Sequence, residues 1–204
     1  MTNRFDYNLG LQKVLAKGRE LFGNKFQLKQ EDYPLIQALS AYFAKDEEQV
    51  RKYKLSLEKG ILLTGPVGCG KTSLMKIMRL YLPASERYIV KPCREVGFEF
   101  IQDGYSVIQK YGRNAFNQTN PKVYCFDDLG IENSLKYYGN ECNVMAEVLL
   151  SRYDLFVVRQ TLTHLTTNLN SSEIESLYGT RVRSRLREMF NLLSFSPEAK
   201  DKRF

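Results

Sequence analysis

The spacing of hydrophobic residues divides the chain into a helical beginning and a longer alternation of strands and helices. Residues 1–58 contain no β-rich run, and the apolar positions of residues 34–44 recur at helical spacing. From Gly60 onwards, short apolar runs alternate with helical stripes. The predicted strands cover residues 61–64, 88–90, 122–126, 161–167 and 191–195, and the predicted helices cover residues 72–82, 95–111, 143–157 and 171–189. This alternation predicts a parallel sheet covered by helices on both faces.

Local signals mark the ends of two of these helices. Pro83 ends the first helix of the alternating region. Asn170 followed three residues later by Glu173 predicts a capped start for the last helix. Gly179 lies inside that helix and predicts a break in it.

A glycine-rich loop joins the first predicted strand to the helix that follows. Residues 65–72 read GPVGCGKT and match the phosphate-loop (Walker A) pattern GxxxxGK[ST] at every fixed position. Such a loop folds backbone N–H groups around an anion, and the helix behind it offers its positive end. Lys71 is expected to reach the β- and γ-phosphates, and the Thr72 hydroxyl to bind Mg²⁺. The predicted nucleotide contacts are Gly65, Pro66, Val67, Gly68, Cys69, Gly70, Lys71, Thr72 and Ser73.

Two acidic residues follow the apolar run of residues 123–126. A phosphate-loop ATPase needs a carboxylate at the end of a neighbouring strand to hold its Mg²⁺. We therefore assign Asp127 to Mg²⁺, through water, and Asp128 to orienting or deprotonating the attacking water. The alternative is an exposed turn that leads to Gly130.

A polar strand end and an arginine-rich helix complete the candidate chemistry. Asn168 closes the fourth predicted strand, where it is expected to position the water or contact the γ-phosphate, unless it only forms a turn. In the last helix Arg181 and Arg185 share one face, with Arg183 and Arg187 roughly opposite. One pair can face a neighbouring subunit's nucleotide; the alternative is a solvated basic helix.

Composition narrows the class of protein. The 204 residues are 43% hydrophobic and 26% charged, as in globular proteins, and the net charge of +7 suits an anionic partner such as nucleic acid. No apolar run is long enough for a membrane helix, and the N-terminus does not resemble a secretory signal. The four cysteines form no CxxC pair, so we expect buried thiols in the reducing cytoplasm. His164, the only histidine, is expected to lie in the core.

Together these motifs resemble a known family. The segments GILLTGPVGCGKTSLMK, VYCFDDLG, THLTTNLN and YGTRVRSRLREMF look like the AAA+ ATPases of the bacterial helicase-loader (DnaC-type) and transposition-helper (IstB-type) group. The resemblance runs from about Leu57 to Phe195. It implies a P-loop NTPase core with a five-stranded parallel sheet of order 5-1-4-3-2, and ATP bound with Mg²⁺ between subunits. By motif, Asn168 matches the sensor-1 residue, Arg185 the arginine finger acting in trans, and Arg181 its companion.

The chain departs from the family pattern in two places. An AAA+ core is usually followed by a helical lid, whereas only a short segment follows Phe195, so we expect the lid to be absent or vestigial. The second acidic residue is Asp128, where most AAA+ proteins have glutamate. We therefore predict an N-terminal helical segment over residues 1–56 and an AAA+ core over residues 57–204.

The resemblance implies a cytoplasmic ATPase that loads or remodels a helicase or transposase complex on single-stranded DNA during replication or transposition. It also implies a homo-oligomer that assembles on ATP, and no membrane partner. The segment Lys110-Tyr111-Gly112-Arg113 is the nearest basic and aromatic cluster for DNA, unless it is an ordinary polar helix end. The alternatives are a small-molecule P-loop kinase and a nucleotide-gated adaptor with negligible turnover.

Overall fold

The computed structural model describes residues 7–117, 120–132, 135–137 and 140–202. A five-stranded sheet is formed by β1 (Gly60–Thr64), β2 (Ile89–Pro92), β3 (Tyr124–Leu129), β4 (Thr163–Thr167) and β5 (Phe190–Ser194). Its strand order is β2-β3-β4-β1-β5, which read from the other edge is the predicted 5-1-4-3-2. The registers of β1 with β4, β4 with β3, and β3 with β2 are parallel.

Helices precede the sheet and connect its strands. They are α1 (Tyr7–Phe22), α2 (Tyr33–Phe43), α3 (Glu47–Lys52), α4 (Lys71–Met78), α5 (Cys93–Asp103), α6 (Ser106–Tyr111), α7 (Val144–Arg159) and α8 (Ser171–Met189). Short 3₁₀ turns cover Gln30–Asp32, Arg79–Tyr81 and Ala84–Glu86. The helical beginning and the alternation of strands and helices are as the hydrophobic pattern predicts.

Three details differ from the sequence prediction. The helix predicted over residues 95–111 is two helices, because Gly104 takes a positive φ of 63° between α5 and α6. Two antiparallel hairpins were not predicted. The first pairs Phe116–Asn117 with Asn120–Pro121, and the second pairs Leu135–Tyr137 with Asn140–Cys142. Their strands are two or three residues long, too short to show an alternating pattern.

The chain forms two compact units. The first contains the described parts of Met1–Leu57, Gly65–Arg87 and Leu193–Phe204, and the second contains those of Glu58–Thr64 and Tyr88–Leu192. The boundary at residue 56 that the sequence suggested stays a prediction.

The core of the second unit packs apolar residues of β3 and β4 against α5, α7 and α8. His164 of β4 is buried in the same unit, against the ring of Tyr88, and its Nδ1 accepts a hydrogen bond from the backbone N–H of Ile61 at 3.0 Å. Burial, with a smaller contribution from the charge of Arg152, lowers the pKa of His164 to about 3. The prediction of a core histidine is confirmed.

Arg152 is a fully buried cation in the same core. Its guanidinium donates to the Thr163 hydroxyl at 2.9 Å and to the carbonyls of Lys122 and Leu162 at 3.0 and 2.8 Å. Burial lowers the pKa of Arg152 to about 10. The side chain therefore links the start of β4 to the segment that enters β3.

All four cysteines are buried free thiols, as predicted. Within the described ranges, the longest apolar helical stretches fall short of what a membrane span requires.

Candidate functional site

The phosphate loop follows β1 in the chain and lies in the first compact unit. Gly65, Gly68 and Gly70 have φ angles of 152°, 78° and 107°, which side chains with a Cβ rarely adopt. Lys71 begins α4 and is buried, and its ammonium donates to the carbonyls of Gly65 and Pro66 at 2.8 and 2.9 Å. The lysine therefore closes the loop on itself.

The first turn of α4 supplies the remaining predicted contacts. Thr72 and Ser73 are half-buried there, behind Gly70, which precedes the helix as its N-cap. Val67 is 61% exposed at the tip of the loop. A glycine cradle that opens onto a helix N-terminus is the arrangement that binds phosphate groups. The predicted residues thus form one continuous cradle that fits a nucleotide phosphate chain.

A segment near the C-terminus packs onto this loop. This contact was not predicted from the sequence. The Lys202 backbone N–H donates to the Gly68 carbonyl at 3.0 Å, and the Asp201 carboxylate lies against the Cα of Gly68. The Lys202 ammonium lies 4.8 Å from the centre of the Phe195 ring and forms an ion pair with the buried carboxylate of Asp32. The phosphate loop is therefore fixed on one side by a carboxylate and a lysine.

The acidic pair lies in the second unit at the carboxyl end of β3, where the strand bulges. Phe126 pairs with Leu165 and Leu129 pairs with Thr167, so two acidic residues face one threonine, Thr166. Asp128 has a positive φ of 56°, which is unfavourable for a residue other than glycine. Asp127 is buried, with 6% of its surface exposed, and Asp128 is half-buried. The exposed-turn alternative therefore does not describe Asp127.

Two buried threonines of β4 hold the acidic segment. The Thr166 hydroxyl donates to Asp127 Oδ1 at 2.6 Å and accepts from the Asp128 backbone N–H at 2.9 Å. The Thr167 hydroxyl donates to the Leu129 carbonyl at 2.6 Å and accepts from the Leu169 N–H at 3.0 Å. Asn168, the next residue, is exposed at the strand end.

The described residues contain no cluster of three or more His, Cys, Asp or Glu side chains that could hold a metal. Mg²⁺ bound with nucleotide needs only one or two carboxylates, because phosphates and waters complete its octahedron. A single buried carboxylate such as Asp127 fits that requirement.

A half-buried carboxylate connects the loop after β3 to the arginine helix. Glu132 accepts a hydrogen bond from the Gly130 N–H at 3.0 Å and a short one from the Tyr178 hydroxyl. Burial raises the pKa of Glu132. Tyr178 directly precedes Gly179, whose φ of 84° and ψ of 162° interrupt α8 as predicted. The loop of the acidic pair is thus linked to the kink of α8.

The four arginines of α8 have different surroundings. Arg183 donates to the Ser171 hydroxyl at 2.8 Å and forms an ion pair with Glu175 at 2.7 Å, so it braces the kink within the chain. The guanidinium of Arg185 lies 4.7 Å from the centre of the Tyr153 ring. Arg181 and Arg187 are exposed.

The basic and aromatic cluster suggested for DNA is an internal network. The Tyr111 ring is buried, and Lys110 and Lys91 both form ion pairs with Glu99. Although burial of Glu99 acts in the opposite direction, its hydrogen bonds from the two lysines lower its pKa to about 2. A buried ring cannot stack on a base, so the ordinary polar helix end describes this segment better.

An exposed apolar face on and after α5 was missed by the sequence analysis. Phe98 and Ile101 are 56% and 53% exposed, and their spacing of three residues places them on one side of α5. Tyr105, which follows the break at Gly104, is 48% exposed. The guanidinium of Arg94 lies 5.9 Å from the Phe98 ring centre. Helical periodicity alone could have indicated this face, but not that it is exposed.

Solved structures with the same fold were found, whereas neither a protein-family model nor a curated protein matches the chain. The DnaC helicase loader is 16% identical with a TM-score of 0.54, covering 85% of this chain and 95% of its own. DnaI is 16% identical with a TM-score of 0.55, covering 84% and 88%.

A protein described as a primosome component from Streptococcus pyogenes serotype M3 is 18% identical, with a TM-score of 0.57 and 90% of each chain covered. At such low identity these similarities concern the fold alone. The resemblance to DnaC-type AAA+ proteins is confirmed at that level: the chain has the α/β fold of these proteins, with a five-stranded parallel sheet flanked by helices.

Proposed function

We propose that this protein is a Mg²⁺-dependent ATPase that acts as a helicase loader in DNA replication. The observation that carries the proposal is a complete phosphate loop, with its buried lysine, on a fold shared with the DnaC helicase loader. A P-loop kinase or a non-hydrolysing adaptor would have the same loop, but no further feature of the described residues favours either. The helicase-loader role is preferred to transposition because the neighbours reported above are a helicase loader, DnaI and a primosome component.

Each site residue has a proposed role. The cradle of residues 65–73 binds the phosphates of ATP, and Lys71 leaves its loop carbonyls to contact the β- and γ-phosphates. Thr72 and, through water, Asp127 would hold a Mg²⁺ ion, which would supply positive charge to the phosphates of the nucleotide. Asp128 orients the attacking water or accepts its proton, and Asn168 positions that water against the γ-phosphate.

The arginine helix is proposed to complete the site of a second subunit. Arg185 acts as the finger and Arg181 as its companion. Stacking on the ring of Tyr153 holds the Arg185 side chain in a defined direction, worth about 0.5–1 kcal/mol. An arginine finger raises the rate of hydrolysis by roughly 10³–10⁵-fold. An isolated protomer is therefore a poor ATPase, and ATP promotes a homo-oligomer.

Mixing two inactive variants tests this division of roles. Arg185→Ala removes the finger and Asp128→Asn removes the proposed base, so each variant alone should hydrolyse ATP slowly. Mixed subunits should recover activity, because a pair with an intact base and an intact finger forms in part of the population. Arg187→Ala is the matched control: it removes an exposed arginine from the same helix and should keep wild-type turnover. Absence of recovery at every mixing ratio would refute action in trans.

Single-stranded DNA and a replicative helicase are the proposed partners. The proposed DNA contacts are the exposed side chains of Arg94, Phe98 and Ile101 on α5 and of Tyr105 just after it, since bases stack on aromatic rings beside a cation. Replacing Phe98 and Tyr105 by alanine should weaken DNA binding, and affinity of the wild type should fall with salt. Val158→Ala, at an exposed apolar site elsewhere, should not weaken it. Equal DNA affinity for all three proteins would rule out this face.

A further inference from the structure

One threonine side chain joins both residues of the acidic pair. The bulge in β3 leaves Asp127 and Asp128 opposite Thr166, and the fully buried Thr166 hydroxyl bonds to each of them. We infer that Thr166 is a positioning residue that fixes the Asp127 carboxylate in the direction required to hold Mg²⁺. The inference rests on the proposed function, which assigns Asp127 to the metal.

The two hydrogen bonds fix the hydroxyl proton. Because the Asp128 backbone N–H is a donor only, the Thr166 oxygen accepts from it at 2.9 Å. The single hydroxyl proton is then directed to Asp127 Oδ1 at 2.6 Å. The Asp128 backbone N–H therefore directs the Thr166 hydroxyl proton towards the Asp127 carboxylate.

The bulge itself depends on this contact. In a regular strand each residue faces one residue of the neighbouring strand, whereas here Asp127 and Asp128 both lie opposite Thr166. A bulge changes the direction of side chains and interrupts the regular hydrogen bonding between the two strands. Here it also requires the positive φ of Asp128. Within the bulge, the Asp128 N–H donates to the Thr166 hydroxyl at 2.9 Å. Thr166 therefore stabilises the bulge and orients the carboxylate at once.

Thr167 provides a control for a merely structural role. It is the next residue of β4, it is equally buried, and its hydroxyl also donates one bond and accepts one. Both of its partners are backbone groups, of Leu129 and Leu169. Loss of either hydroxyl disturbs the same strand end, but only loss of the Thr166 hydroxyl removes a hydrogen bond to a carboxylate.

The test measures nucleotide binding rather than turnover. Affinity for a fluorescent, non-hydrolysable ATP analogue is determined with Mg²⁺ and with EDTA for the wild type and for T166V, T166S and T167V. The ratio of the two affinities reports what Mg²⁺ contributes. Loss of a group that orients a metal ligand typically weakens metal binding 10–100-fold. In T166V the ratio of the two affinities should therefore fall at least about tenfold, whereas the affinity measured in EDTA should change by less than about twofold.

The conservative variant and the control decide the interpretation. T166S keeps the hydroxyl and should retain the wild-type ratio, and T167V should retain it as well. An unchanged ratio in T166V, an equal loss in T167V, or a loss in folded T166S would each overturn the inference. Circular dichroism checks folding; if T166V does not fold, T166A removes the same hydroxyl without adding a methyl group.

The inference and the proposed function fail in different ways. A wild-type protein whose binding of the analogue is unaffected by Mg²⁺ contradicts the proposed function, and the role of Thr166 falls with it. A wild type with a clear Mg²⁺ dependence that T166V and T166A share leaves the proposed function intact and removes only the role of Thr166.

Discussion

The buried histidine gives the chain a pH-dependent stability that can be isolated from all other titrations. His164 is the only histidine of the sequence, and it is held neutral in the core with a pKa of about 3. In the unfolded chain its pKa is near the ordinary 6.5. Lowering the pH through 6.5 therefore protonates the unfolded chain first, and the free energy of unfolding falls from there down to the folded pKa.

The size of this effect follows from the two pKa values. One pKa unit corresponds to about 1.36 kcal/mol, and pH 5 lies about 1.5 units below the unfolded value. His164 alone therefore destabilises the folded protein by about 2 kcal/mol at pH 5 relative to pH 7.5. The figure is insensitive to the folded pKa as long as that lies below about 4.

The matched variant is His164→Asn. Its amide oxygen can replace Nδ1 as the acceptor of the Ile61 N–H, but it does not titrate. The variant also loses packing against the Tyr88 ring, whose centre lies 4.7 Å from that of the imidazole, and this loss is the same at every pH. Urea unfolding from pH 7.5 to pH 5 should show the wild-type stability falling about 2 kcal/mol more than that of the variant. Parallel curves would show that the imidazole is not held neutral.

Three further substitutions test other parts of the molecule. Lys71→Ala should abolish ATP binding and ATP-dependent assembly in light scattering, since it removes the charge proposed to contact the phosphates; assembly at wild-type levels would contradict this. Asp201→Asn removes a negative charge beside Gly68 and should tighten ATP binding roughly fivefold in titration calorimetry. The reason is that a carboxylate and a phosphate about 4 Å apart in water repel each other by about 1 kcal/mol. Weaker ATP binding by the variant would contradict this prediction. Asn170→Ala breaks the capping box with Glu173 and should lower the free energy of unfolding by about 1 kcal/mol in urea denaturation. An unchanged free energy would mean that the capping box does not stabilise the protein.

Features set by local chemistry were predictable from the sequence. The glycines of residues 65–70 can adopt the positive φ angles of a phosphate loop, and Asn170 can cap a helix whatever surrounds them. Gly179 breaks α8 for the same local reason. The strand order of the sheet was predicted from the family resemblance, and the observed order agrees with that prediction.

Features that depend on distant partners were not predictable. The Thr166 hydroxyl contacts residues 38 and 39 positions earlier, and only the register of β3 against β4 brings them together. The bulge has no pattern of its own, because an Asp-Asp pair is also typical of a turn. Similarly, the composition of residues 110–113 indicates a basic aromatic cluster, but only packing decides that Tyr111 is buried against its neighbours.

ATP turnover per subunit, measured against protein concentration with and without single-stranded DNA, tests the proposed helicase-loader ATPase most directly. Because Arg185 is proposed to act on the ATP of another subunit, turnover should rise with concentration as subunits assemble, and single-stranded DNA should change it. Arg185→Ala should stay low at every concentration. Turnover that is independent of both concentration and DNA would contradict the proposal and would instead be typical of a P-loop kinase or of an adaptor that does not hydrolyse ATP.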